Sequence, residues 1–287
     1  EGESSGQLWL LQGGPGGPGS DFAGFMESMH LLYPSLDLYA PDHRGTGYSA
    51  RLGCPDQERD SSSSGFNITS GEWPACVESL KEQWGVDGLA QFSASNAARD
   101  LGETVELFKE SGKDLFIYGA SYGTYWALRY MQLYPDQGAK MILDSICASG
   151  YCKLVEYDSN FNMVGKQFMD HCASDEFCRS KLGDDAWAFI GNMLDGVDSG
   201  SCAALSDAGL DRSFVRQVFG TLITSWFMRP YIAMMAYRLE RCSSSDVDFL
   251  LEFLNMLFSD GDVSVQDKLF STALNSNITF SELWGEG

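Results

Sequence analysis

The chain has 287 residues, enough for one large domain or a core with a subdomain. With 44% hydrophobic residues it can bury a substantial core, which argues against a globally disordered chain. A net charge of −21 argues against nucleic acid and against an anionic membrane surface as partners, because both are bound through surplus Lys and Arg.

In chain order, residues 8–12 read as a buried strand, followed by a glycine-proline loop over 13–19. Phe22, Phe25, Met29 and Leu32 predict a helix over 21–32, and residues 36–40 a second strand. Residues 51–84 are polar, with a serine run at 61–64, and read as a surface excursion closed by a Cys54–Cys76 bond. Ala97, Leu101, Val105 and Phe108 share one face of a predicted helix over 94–109. Strands are expected at 114–118 and 140–144, with a helix at 122–134 ended by Pro135. This alternation predicts an α/β fold built on a parallel sheet. Beyond Ser145 the pattern turns helical and carries further cysteines, which predicts a helical cap inserted after the last of these strands. The expected division is a core over 1–147, the cap over 148–275 and the start of a return to the core over 276–287.

No apolar run reaches the roughly 18 residues of a spanning helix. No leader is visible, and the chain opens at Glu1 just before a strand, so any leader has been removed or not included. The eight cysteines contain no CxxC pair, and neither a metal nor any other cofactor is expected. With sequons at Asn67 and Asn277, the even cysteine count predicts an oxidising compartment, secreted, secretory or lysosome-like.

Gly119-Ala120-Ser121-Tyr122-Gly123 fits the Gly-x-Ser-x-Gly elbow, in which a tight strand-to-helix turn lifts a nucleophilic serine into an exposed, strained position. The pentapeptide by itself also fits a plain glycine turn; its place between a strand and a helix favours the elbow. Gly14-x-Gly16-x-x-Gly19, with Asp42 after the next strand, also satisfies the dinucleotide fingerprint. Pro15 and Pro18 argue against it, because they remove donors from a loop that would have to bind pyrophosphate. An oxyanion loop explains both motifs together. A third segment, residues 42–49, reads as a compact loop in which Asp42 and Arg44 form a local ion pair.

These three segments in this order, at 13–17, 42–49 and 119–125, resemble the prolyl and tripeptidyl aminopeptidase family of α/β-hydrolases. The resemblance also takes in residues 134–145; in the cap it rests on helical character alone. It implies an α/β-hydrolase sheet, here incomplete at both ends, with a helical cap. It further implies Ser121 as nucleophile, the Gly14 and Tyr122 amides as oxyanion donors, Gly13, Asp42 and Arg44 as a supporting loop, and a peptide with a free amino terminus as substrate. An esterase or lipase on the same scaffold and a non-catalytic binding protein are the alternatives. Epoxide hydrolases and haloalkane dehalogenases are disfavoured, since they place Asp where Ser121 stands.

The family order of serine, acid and histidine predicts an acid and a base after the cap. His171, the sole histidine after Ser121, falls in a cap helix; His30 and His43 precede the serine. Asp260 and Asp262 follow a helix with no strand before them and make poor acids. The acid and histidine are therefore expected beyond Gly287. Glu156, Glu176 and Glu240 are expected as solvated cap charges rather than ligands for a substrate ammonium. Trp226, Phe227 and Tyr231 are expected to pack within the cap rather than to line a pocket.

Overall fold

A computed structural model of the chain describes residues 4–62, 65–258 and 268–285. They fall into two compact units, residues 4–155 with 268–285 and residues 156–258.

The first unit is an α/β layer structure. Strands β1 (Gly6–Leu11), β2 (Leu36–Tyr39), β3 (Asp114–Ala120) and β4 (Lys140–Asp144) form one parallel sheet in the order β2-β1-β3-β4. In register, Leu11 lies beside Gly119 and Ala120 beside Asp144, so the carboxyl ends of β1, β3 and β4 are level. β1 reads Gly-Gln-Leu-Trp-Leu-Leu and is buried throughout, as a strand covered on both faces must be. Leu8 and Leu10 pack under Phe22 and under Met26 and Met29 of α1 (Ala23–Leu32). Trp9 and Leu11 face the opposite way, into a core with Leu101 and Val105 of α3 (Ala94–Phe108) and Trp126 and Tyr130 of α4 (Tyr122–Leu133). Each large side chain so buried contributes about 1.5–3 kcal/mol. Ser93 caps α3 by accepting from the Asn96 amide, which accounts for the sharp start of that helix.

The segment expected as a polar surface excursion is part of this core. Cys54 and Cys76 are bonded as expected, but residues Trp73–Leu89 form a helix, α2. Cys76 and Leu80 are buried on one face of α2, Leu52, Cys54 and Ile68 are buried with them, and Trp84 is packed against the same core. The polar composition of the segment hides this one apolar stripe. α2 kinks at Gly85, whose φ of 65° and ψ of 168° are not helical.

The second unit is all helical among its described residues: α5 (Tyr157–Ser174), α6 (Glu176–Leu182), α7 (Ala186–Asp198), α8 (Ala203–Asp207), α9 (Arg212–Thr224), α10 (Pro230–Arg241) and α11 (Ser244–Phe258). Asp175, Asp185 and Asp211 each cap a helix through a side-chain bond to the third following amide. Some of the acidity thus serves helix starts, where the dipole favours it. Met169, Met193, Val218, Leu222, Met235 and Leu250 form the centre of a core of its own. Cys172–Cys178 and Cys202–Cys242 bond within the unit, and Cys147–Cys152 bonds in the first. Where the sequence reading carried the cap to Asn275, the structure returns the chain to the first unit earlier. Ser271 caps α12 (Thr272–Ile278), whose Ala273, Leu274 and Ile278 join the core around Trp9. Helical periodicity records that a face is apolar and is silent on which core receives it.

Candidate active site

The sheet order places a crevice at the carboxyl ends of β1 and β3. From β1 the chain crosses through α1 to β2 on one side, then returns to β3 on the other, so the loops leaving β1 and β3 part from each other. Gly13 and Ser121 meet there: a Cβ on Gly13 would lie 2.9 Å from the Ser121 Cβ and 3.3 Å from its Oγ.

Ser121 occupies the turn between β3 and α4 with φ 53° and ψ −122°, a conformation that costs a non-glycine residue about 1–3 kcal/mol. The neighbouring glycines are required by close approach. A Cβ on Gly123 would stand 2.0 Å from the Leu11 carbonyl oxygen, and one on Gly119 2.5 Å from that of Gly123. The strained residue is held from both sides. Its N–H donates to the Asp144 carbonyl at 2.9 Å, and its carbonyl accepts from the Thr124 amide and hydroxyl at 2.9 and 2.6 Å. Ser121 is exposed, and its Oγ has no hydrogen-bond partner among the described residues.

The backbone amides around this hydroxyl divide into used and unused. Gly13 N–H donates to Gln12 Oε1 at 2.7 Å, and Ser121 N–H is taken by Asp144. The amides of Gly14 and of Tyr122, the first residue of α4, donate to no described residue. The loop carrying Gly14 is fixed from behind. Asn275 Nδ2 donates to Pro15 O at 2.8 Å, while Ser271 N–H and the Thr46 hydroxyl donate to Gly16 O. Arg51 holds the incoming backbone through Leu269 O and Phe270 O and pairs with buried Glu58. None of Arg51, Glu58, Ser271 or Asn275 was foreseen from sequence, since Ser271 and Asn275 reach the loop from far along the chain, Arg51 and Glu58 act through the backbone that precedes Ser271, and none shares a motif with the loop. The bond between Gly14 and Pro15 is cis.

The expected pairing of Asp42 with Arg44 does not form. Asp42 accepts from Gly19 N–H and Tyr48 N–H, each at 2.7 Å, and so ties the loop after β1 to the loop after β2. Arg44 makes a two-pronged pair with Asp100 on α3, at 2.6 and 2.7 Å, and donates to Gln91 O. The short carboxylate satisfies amides at hand, while the long guanidinium stem reaches the neighbouring helix. Both Asp42 oxygens are thereby engaged, a further argument against a ribose-binding role.

His43 lies close to the elbow and is not placed as its base. It is buried, with Nδ1 2.6 Å from Arg44 O and Nε2 3.1 Å from the Tyr122 hydroxyl. Burial pushes its pKa down to about 4. His30 is exposed on α1, and His171 is exposed on α5 of the second unit. At the end of β4, beside the elbow, Asp144 accepts from the Tyr118 and Ser145 hydroxyls, and Ser145 has a φ of 60°. No glycine marks that second strained turn, so the sequence carried no sign of it.

No protein-family model matches the chain. Two tripeptidyl aminopeptidases, one from Streptomyces coelicolor and one from Streptomyces lividans, are each 27% identical to it over 192 residues. The chain is a distant homologue of these tripeptidyl aminopeptidases, an α/β-hydrolase family. The alignment covers 61% of this chain and 35% of either relative, so the chain spans about a third of their length.

Among the remaining residues singled out from sequence, Glu156, Glu176 and Glu240 are exposed. Trp226 and Phe227 are not packed within the helical core. Their rings stack on each other at 3.6 Å while the residues remain 70% and 67% exposed, and Tyr231 stacks on Phe253. Trp226 and Phe227 sit between α9 and α10. Asp260 and Asp262 lie outside the described residues. Among the described residues no group of acidic, His and Cys side chains is arranged for a metal, and no helix is long and apolar enough to cross a membrane.

Proposed function

We propose that Ser121 is the nucleophile of a serine hydrolase that releases residues from the free amino terminus of peptides. The observation that carries this reading is an exposed, strained serine hydroxyl beside two backbone amides with no described acceptor. That the homologues are tripeptidyl aminopeptidases supports a peptide substrate. In this reading the serine oxygen attacks the peptide carbonyl, and the amides of Gly14 and Tyr122 take the negative charge that develops. The acyl-enzyme then yields to water. Asp42, Arg44 and Gly13 hold the loops in place. His43 is not placed as the proton acceptor, because its two ring nitrogens are engaged by Arg44 O and the Tyr122 hydroxyl. A secreted or secretory destination is part of the same reading, supported by four disulfides.

The test is hydrolysis of aminoacyl and tripeptidyl amides, with fluorophosphonate labelling, by the 287-residue chain and by the longest polypeptide its gene encodes. The long form is expected to turn over free-amino substrates and to label at Ser121. Ser121→Ala should lower turnover by about 10³-fold or more. Cleavage of N-acetylated substrates and simple esters in preference would favour the esterase reading. An unlabelled, inactive long form would favour a binding protein.

A further inference from the structure

The helical unit holds a cavity of about 600 Å3 between α5, α6 and α10, within the usual range of small-molecule sites. Its apolar lining includes Phe168, Leu182, Ala233 and Met234, which are buried or half-buried. Lys181, Arg238 and Arg241 line the same cavity, together with His171. That is an uncommon concentration in a chain with 19 basic and 40 acidic residues.

The carboxylates facing these cations do not cancel them. Asp246 is fully buried and accepts from Arg238, Arg241 and Ser243, so it offsets one of the two guanidinium charges. Asp175, which also lines the cavity, caps α6 by accepting from the Cys178 amide; with Asp246 it leaves one positive charge in surplus among Lys181, Arg238 and Arg241. Lys181 has no ion-pair partner among the described residues. Its ammonium stands over the Phe177 and Tyr237 rings, 5.4 and 5.6 Å from their centroids. An anion at this mouth meets an unpaired ammonium without displacing an internal carboxylate.

We propose that this cavity binds a small amphipathic carboxylate, an apolar body carrying one anionic head. The apolar body lies against Phe168, Leu182, Ala233 and Met234, and the head is held by Lys181 with the free edges of Arg238 and Arg241. The concave shape and its size favour a small molecule over a protein surface. This inference does not depend on the role of Ser121.

The probe is decanoate, titrated calorimetrically into the 287-residue chain below the concentration at which it forms micelles. Decylammonium and decanol serve as controls of matched chain length. Decanoate is expected to saturate one site and to bind at least ten-fold more tightly than decylammonium. Lys181→Glu, at an exposed position, should weaken it ten-fold or more, and Ala233→Trp should remove it by filling the cavity. Lys166→Glu, a charge change at a residue that does not line the cavity, and Ser121→Ala should leave it unchanged. Equal affinity for decanoate and decylammonium, or decanoate binding untouched by both Lys181→Glu and Ala233→Trp, would overturn the proposal. So would an absence of saturable binding while circular dichroism shows the chain folded.

Discussion

A carbonyl oxygen can only accept, so the 2.6 Å contact with Arg44 O puts the proton of neutral His43 on Nδ1. Nε2 is then the acceptor for the Tyr122 hydroxyl. Protonation would turn Nε2 into a donor and reverse that link, the Tyr122 hydroxyl oxygen then accepting, next to the residue whose amide follows Ser121. With a folded pKa near 4 against about 6.5 unfolded, the unfolded chain takes up the proton first as pH falls. The stability from neutral His43 is therefore complete above pH 6.5 and is lost between about 6.5 and 4, by about 3 kcal/mol in all. Urea midpoints measured across that window should fall with pH, and His43→Gln should flatten the slope. The two sequons differ for a similar local reason. Asn67 is exposed, whereas Asn277 donates through Nδ2 to Phe92 O at 3.1 Å. Expression through a secretory pathway followed by glycopeptide mapping is expected to find a glycan at Asn67 and none at Asn277.

Between α10 and α11 a single carboxylate organises the turn. Asp246 accepts from Arg238, Arg241 and Ser243, and the Arg241 guanidinium holds its carboxyl far below the usual range. Its contribution is present above the unfolded value near 4 and is lost as pH falls below it. Asp246→Ala leaves two guanidinium groups without their partner and should cost about 3 kcal/mol, read as a lowered denaturation midpoint. The Cys54–Cys76 bond joins the loop after β2 to α2, and Cys54→Ala with Cys76→Ala should cost about 3 kcal/mol through the freedom returned to the unfolded chain. At this scale much was legible in the sequence. β1, β3 and β4 and helices α3 and α4 lie within a few residues of where alternation and apolar spacing put them, because each turns apolar side chains to the core, fully buried in β1, α3 and α4 and half-buried in β4. α2 was not legible, since its buried stripe of Cys76 and Leu80 is set in a polar stretch broken by Gly85.

Residues 156–258 have a separate buried core and enclose both of their disulfides, and they are expected to fold when expressed alone. A cooperative thermal transition with native helix content in that fragment would be the supporting result, and a gradual, non-cooperative melt the opposing one. For the molecule as a whole, the order of amino acids determined the parallel α/β class and the elbow at Ser121. Those follow from local patterns: a fully apolar strand, a helical stripe, and glycines where the backbone must pass within van der Waals distance. Tertiary structure alone decided that Asp42 binds the Gly19 and Tyr48 amides and that Arg44 turns to Asp100. It also decided that Ser271 and Asn275, some 260 residues after the glycine loop, hold that loop in place. A hydrogen-bonding side chain has several acceptable partners, and its sequence neighbourhood cannot rank them; the packing of the chain settles which one is within reach.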